Sequence, residues 1–194
     1  MNRTNAMARP RFGFGGGFLK RFGKAAEGFA AVETALVAPA MIALCFGVME
    51  LCEGYVCSGK VTAAASTAAD LVAQDSSICD AEMNDVYAAV GAIIFPYSLS
   101  NMQVRISSLI DAGNSTVKVA WSSGYNTSPR GLNSTVTIPA GLVTSGGGQS
   151  VIFAEVTYYY TSPTGQLFHG AREFSDKFYL HPRRTAQISR TSGC

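Results

Sequence analysis

Apolar residues crowd into one stretch of this chain and recur elsewhere only in short periodic groups. Residues 28–51, GFAAVETALVAPAMIALCFGVMEL, are almost wholly apolar. As a helix rising about 1.5 Å per residue they span ~36 Å, enough to cross a bilayer. Glu33 near the start of the run and Pro39 inside it set it apart from an ordinary anchor. Helical character is expected to continue to about Gln74, because Val61, Ala65, Ala68 and Val72 fall at i, i+4, i+7 and i+11. Ala63, Ala64, Ala65, Ala68 and Ala69 favour helix and allow close packing. This alanine-rich stripe reads as the face that docks a globular head. One helix from Phe29 to Gln74 would be roughly 70 Å long.

Asp75-Ser76-Ser77 breaks the pattern, and a second helix is expected over residues 80–94. Its apolar face is assigned to Ala81, Val86, Ala89, Val90 and Ile93, and Pro96 ends it. From residue 102 the period shifts to two. Val104, Ile106 and Ser108 alternate with Arg105, Ser107 and Leu109. Val117, Val119 and Trp121 then alternate with Lys118, Ala120 and Ser122, after a turn at Asp111-Ala112-Gly113-Asn114. Residues 123–150 are loop-rich and include Gly146-Gly147-Gly148. Val151–Thr161 is the strongest strand, and another covers about Glu173–Leu180, with Pro182 ending it. The fold class is α+β: a long N-terminal helix, a short helix, and an antiparallel sheet of about four strands packed on the outer half of the long helix.

Charge gives the apolar run an orientation. Residues 1–27 hold six cations (Arg3, Arg9, Arg11, Lys20, Arg21, Lys24) against Glu27, a net +5, which leaves −3 for the rest of a chain of net charge +2. The basic excess is local to the membrane flank, so no nucleic-acid surface is indicated. By the positive-inside rule the N-terminus stays cytoplasmic and the C-terminal part is exported. Charged residues make up only 14% of the chain, as a membrane segment would produce. Of five cysteines, Cys45, Cys52 and Cys57 lie in or just after the apolar run. Cys79 and Cys194 belong to the polar part, and an oxidising compartment favours pairing them, a bridge worth about 4–5 kcal/mol in the chain-entropy model. The alternative is two unrelated free thiols.

Candidate chemistry is sparse. Gly13-Phe14-Gly15-Gly16-Gly17 lacks the strand and βαβ context of a nucleotide loop. Asp80, Glu82 and Asp85 lack the glycine and distal glutamate of a calcium loop and read as a solvated acidic first turn. His169 and His181 have no partner at metal-ligand spacing, and no G-x-S-x-G elbow occurs. Asn114, Asn126 and Asn133 head sequons that matter only in a glycosylating host. In Tyr158-Tyr159-Tyr160 the side chains must alternate, so at least one tyrosine is expected at the surface. The chain is therefore expected to be non-enzymatic, with no cofactor and no metal. A signal peptide does not fit either: the run is too long, contains Glu33, and lacks a small-x-small cut after it.

Gly28-Phe29-Ala30-Ala31-Val32-Glu33 looks like the processing site of type IV pilin-like proteins, with cleavage after glycine and glutamate at the fifth mature position. The whole stretch 28–51 closely resembles the N-terminal domain of TadE-like proteins, minor pseudopilins of the Flp/Tad pilus assembly system. Glycine, glutamate and the interior proline occur together in register. PAGLVTSGGGQSVIFAEVTYYYTSP and FYLHPRRTAQISRTSGC are similar to the periplasmic parts of the same family.

The resemblance implies a pilin-like fold with a cationic cytoplasmic leader (1–28), a transmembrane helix (29–51) continuing to about 74, and a periplasmic α+β domain (75–194). It places the chain in the bacterial inner membrane as a single-pass protein. Prepilin peptidase would cut between Gly28 and Phe29, and Glu33 would dock the new ammonium of a neighbouring subunit. Pro39 would kink the helix. Ala31, Ala35, Ala38, Ala43 and Gly47 would let it pack closely. Implied partners are other Flp/Tad pilins and pseudopilins, the inner-membrane assembly platform, the peptidase and membrane lipid. Flp-type sites follow the glutamate with an aromatic residue, whereas Thr34 stands here. The alternative reading is an uncleaved, membrane-tethered periplasmic binding module whose loops at 123–150 recognise a partner or glycan.

Overall fold

The computed structural model describes residues 26–112, 116–139, 141–143, 148–163, 165 and 170–194. The leader up to Ala25, the turn residues Gly113 and Asn114, Gly146-Gly147 and His169 lie outside the described residues. Residues up to Cys45 form one unit and Phe46–Cys194 a second.

Helix α1 (Ala26–Ala73) runs 48 residues and contains Pro39. In the second unit one stripe of it is buried: Cys57, Val61, Ala64, Ala65, Ala68, Ala69 and Val72. That spacing of three, four and seven residues is a single helical face, and its small side chains let the sheet approach the helix backbone. The last turn closes with Gln74 and Asp75 N–H groups donating to Leu71 and Val72 carbonyls (both 3.3 Å). Ala73 O accepts the Arg183 N–H at 2.9 Å, so a free helix-end carbonyl is satisfied from a distant loop.

Helix α2 (Asp80–Ile94) begins where the Glu82 carboxylate accepts the Cys79 N–H at 2.8 Å. Its far end is capped by Lys60, whose Nζ donates to the carbonyls of Ile93 (2.9 Å) and Phe95 (2.8 Å), a cation on the negative end of the helix dipole. The buried face is Met83, Val86, Tyr87, Val90, Gly91 and Ile94. This is rotated from the expected one: Ala81 is exposed, and Ala89 and Ile93 are half-buried. The bulkier side chains take the core because they remove more apolar surface from water. Tyr87 also meets the Tyr125 ring at 5.4 Å.

A short strand β1 (Ser77–Ile78) precedes α2, and a 3-10 turn (Leu99–Asn101) follows it. The main sheet has long strands β2 (Met102–Asp111), β3 (Val117–Tyr125), β5 (Ser150–Tyr160) and β6 (Arg172–Leu180), with a two-residue β4 (Thr135–Val136). Their order is β4-β3-β2-β5-β6, antiparallel throughout. The α+β class and the expected antiparallel sheet are therefore present, with β4 as a fifth, minor strand. A final strand β7 (Ser189–Arg190) pairs in parallel with β1, outside the main sheet.

Met102, Val104, Ile106, Trp121, Ile152, Ala154, Val156, Tyr158 and Tyr160 form one core with the buried faces of α1 and α2. A smaller cluster of Leu109, Val117, Val119, Val136 and Phe153 lies apart from it. The cause is a bulge: Ser108 pairs with Trp121 but Leu109 with Val119, leaving Ala120 unopposed. One extra residue sends Val117 and Val119 to the face opposite Trp121, although all three share one parity in the sequence.

Candidate functional site

The chemistry-bearing stretch expected from the sequence lies in the first part of α1. Phe29, Val32, Leu36, Val37, Met41, Ile42 and Leu44 are all exposed, Leu36 to 81%. Burying seven such side chains is worth on the order of 10 kcal/mol. A helix already satisfies its own backbone groups, so lipid or neighbouring helices can supply that burial without further polar partners. By length and composition, Gly28–Ala73 holds a stretch able to cross a membrane.

Two polar features remain on this surface. Glu33 is exposed, and among the described residues no ion pair involves it. Pro39 has no N–H, so the Ala35 carbonyl four residues earlier loses its helical donor. Thr34, the residue that departs from the Flp-type pattern, turns its Oγ1 back to donate to Ala30 O at 2.8 Å. That bond hides the hydroxyl within the helix. Gly28 is half-buried and Phe29 exposed.

The second unit contains an acid–phenol group that the sequence reading missed. Glu50, still within the apolar run, is buried. Three residues on, the Glu53 carboxylate accepts from Tyr160 Oη at 3.3 Å, and the Glu53 carbonyl accepts from Tyr97 Oη at 3.2 Å. Burial first, and then the Glu53 carboxylate, pushes the Tyr160 phenol up to about 12. The signal was present: Glu50 and Cys57 sit seven residues apart, so the head-docking stripe extends back to Glu50.

Two further polar groups are structural in character. Glu155 on β5 meets Arg105 (3.7 Å), Lys177 (3.8 Å) and Arg130, joining β2, β6 and the loop after β3. Cys79 and Cys194 are joined by a disulfide with Cα atoms 5.7 Å apart. The Glu82 carboxylate lies near both sulfurs, but it already accepts the Cys79 N–H and the sulfurs are bonded to each other, so this is not a free ligand set. His181 borders a hollow of about 140 Å³ with Ser150 and Thr185. Ser150 Oγ donates to Ala186 O at 3.2 Å rather than to the histidine. Tyr158 and Tyr160 point into the core while Tyr159 is 38% exposed, the expected alternation.

Residues 28–70 match a family model described as TadE-like protein. No curated protein and no solved structure matches the chain. The matched segment holds Gly28, Glu33 and Pro39 and most of the alanine stripe.

Proposed function

We propose that this protein, whose residues 28–70 are TadE-like, is a non-enzymatic minor pseudopilin, a membrane-anchored component of Flp/Tad pilus assembly. The observation that carries the reading is the exposed apolar surface of α1 in register with the Gly28–Glu33 motif. Such a surface needs lipid or other helices around it, and one carboxylate upon it needs a cation.

In this reading, prepilin peptidase cuts between Gly28 and Phe29, and the ammonium created on Phe29 of one subunit meets Glu33 of the next. Pairing neutralises two charges in a medium that solvates neither, and it sets the axial stagger between neighbouring helices. The unpaired Ala35 carbonyl opposite Pro39 makes that turn the place where the helix bends as it packs. The globular unit would lie in the periplasm and contact other pilins and the assembly platform.

The test is the mature N-terminus in cells with and without prepilin peptidase. Pseudopilin processing gives Phe29 only when the peptidase is present. An N-terminus at Met1 in both strains would oppose it and favour a permanently tethered binding module.

A further inference from the structure

Two large apolar side chains of the second unit stand in the open just beyond the apolar run, Tyr55 (82% exposed) and Phe95 (73%), and a third, Leu99, is 42% exposed with its other side over Gly91. Tyr55 lies four residues past Leu51, about 6 Å further along α1. Phe95 and Leu99 lie in the connection after α2, and two hydrogen bonds set its height against the same helix. Tyr97 Oη donates to the Glu53 carbonyl, and Lys60 Nζ donates to the Phe95 carbonyl. Glu53 and Lys60 bracket a level roughly 3–14 Å beyond Leu51. The headgroup layer on each side of a bilayer is roughly 5–8 Å thick, so the lower part of this bracket falls within it. Aromatic side chains concentrate in that layer. The Lys60 bond holds the connection by its backbone, and the Phe95 side chain makes no use of the core.

We propose that Tyr55, Phe95 and Leu99 form a lipid contact, resting in the interface of the membrane that the unit's own helix enters. The proposal rests on reading residues 28–51 as membrane-spanning. Its occupant is the headgroup and upper acyl region of the bilayer, because the exposed surface continues the apolar surface of Phe46, Val48, Met49 and Leu51. The contact would hold the unit's sheet at a fixed height above the lipid.

The test uses the full chain carrying Phe95→Trp, placed in phosphatidylcholine nanodiscs with ordinary or brominated acyl chains, with Tyr55→Trp as a second variant. Both sites are exposed, so parent-like thermal unfolding is expected. Trp121, the single native tryptophan, is buried and provides the parent baseline. Added emission quenched at least about twofold by bromine in both variants, with little change in the parent, supports the contact. Added emission unaffected by bromine, in protein that floats with the lipid, overturns the contact alone. An emission shift that appears only when two copies share a disc also overturns it and assigns the surface to self-association. Failure of the parent to float with lipid overturns the contact and the membrane-spanning reading together.

Discussion

Glu33 and Tyr160 are both acids beside apolar surroundings, and their neighbours give them different consequences. Tyr160 is buried in the core and its phenol is held at about 12, above an ordinary 10.0. Below about pH 10 the phenol is protonated in both folded and unfolded chains, so its contribution is fully present. As pH rises from about 10 to 12 the unfolded chain ionises first, and stability falls until the folded phenol also ionises. The shift corresponds to about 2–3 kcal/mol. Tyr160→Phe should therefore reduce the alkaline decline of the unfolding midpoint without abolishing it, since Tyr87, Tyr97, Tyr158 and Tyr179 are also raised by burial. An unchanged decline would remove Tyr160 from this account. For Glu33 the partner proposed above is another subunit. Glu33→Gln keeps the shape and removes the charge, so membrane insertion should persist. Recovery with Tad pilins after crosslinking should fall about tenfold, as expected for roughly 1–2 kcal/mol from one polar contact in a membrane. Equal recovery of both proteins would exclude the docking role.

The alanine stripe of α1 shows what a helix face can reveal and what it conceals. Ala68 is fully buried, whereas Ala63 on the same helix is exposed. Ala68→Leu should overpack the helix–sheet contact and cost about 1–3 kcal/mol, while Ala63→Leu should be nearly neutral. Thermal unfolding of the two variants in detergent decides it, with a drop of about 2–12 °C expected only for Ala68→Leu. Equal midpoints would mean that the stripe is not a close-packed face. This stripe was legible because helical spacing is local, and so were the extents of α2 and the long strands. The face of α2 was less legible: alanine spacing suggested Ala81, but Met83 and Tyr87 filled the core. The bulge at Ala120 was not legible at all. Strand parity assumes unbroken pairing, and only the partner strand reveals where an extra residue sits. In the candidate site, Gly28, Glu33 and Pro39 were picked out by their spacing, and the structure places all three on α1. The Glu155 group was hidden because it assembles from four separated segments.

At the scale of the whole molecule, the last residues return to the beginning of the globular unit and fasten it. β7 pairs with β1, and Thr191 N–H donates to Ile78 O at 3.0 Å. Arg190 meets Asp80 at 2.6 Å and lies 5.7 Å from the Trp121 ring centre. Trp121 Nε1 in turn donates to Ile188 O at 2.7 Å. The Cys79–Cys194 disulfide closes this arrangement across a separation of 115 residues. A bridge of that span acts mainly by restricting the unfolded chain, at about 4–5 kcal/mol in the entropy model. These non-covalent contacts also hold the tail. Cys194→Ser should therefore lower the denaturant midpoint strongly while leaving native Trp121 emission unchanged. Should the emission instead shift to that of a water-exposed indole before unfolding begins, the bridge itself holds the tail in place. The two outcomes separate a disulfide that stabilises through the unfolded state from one that maintains a native contact.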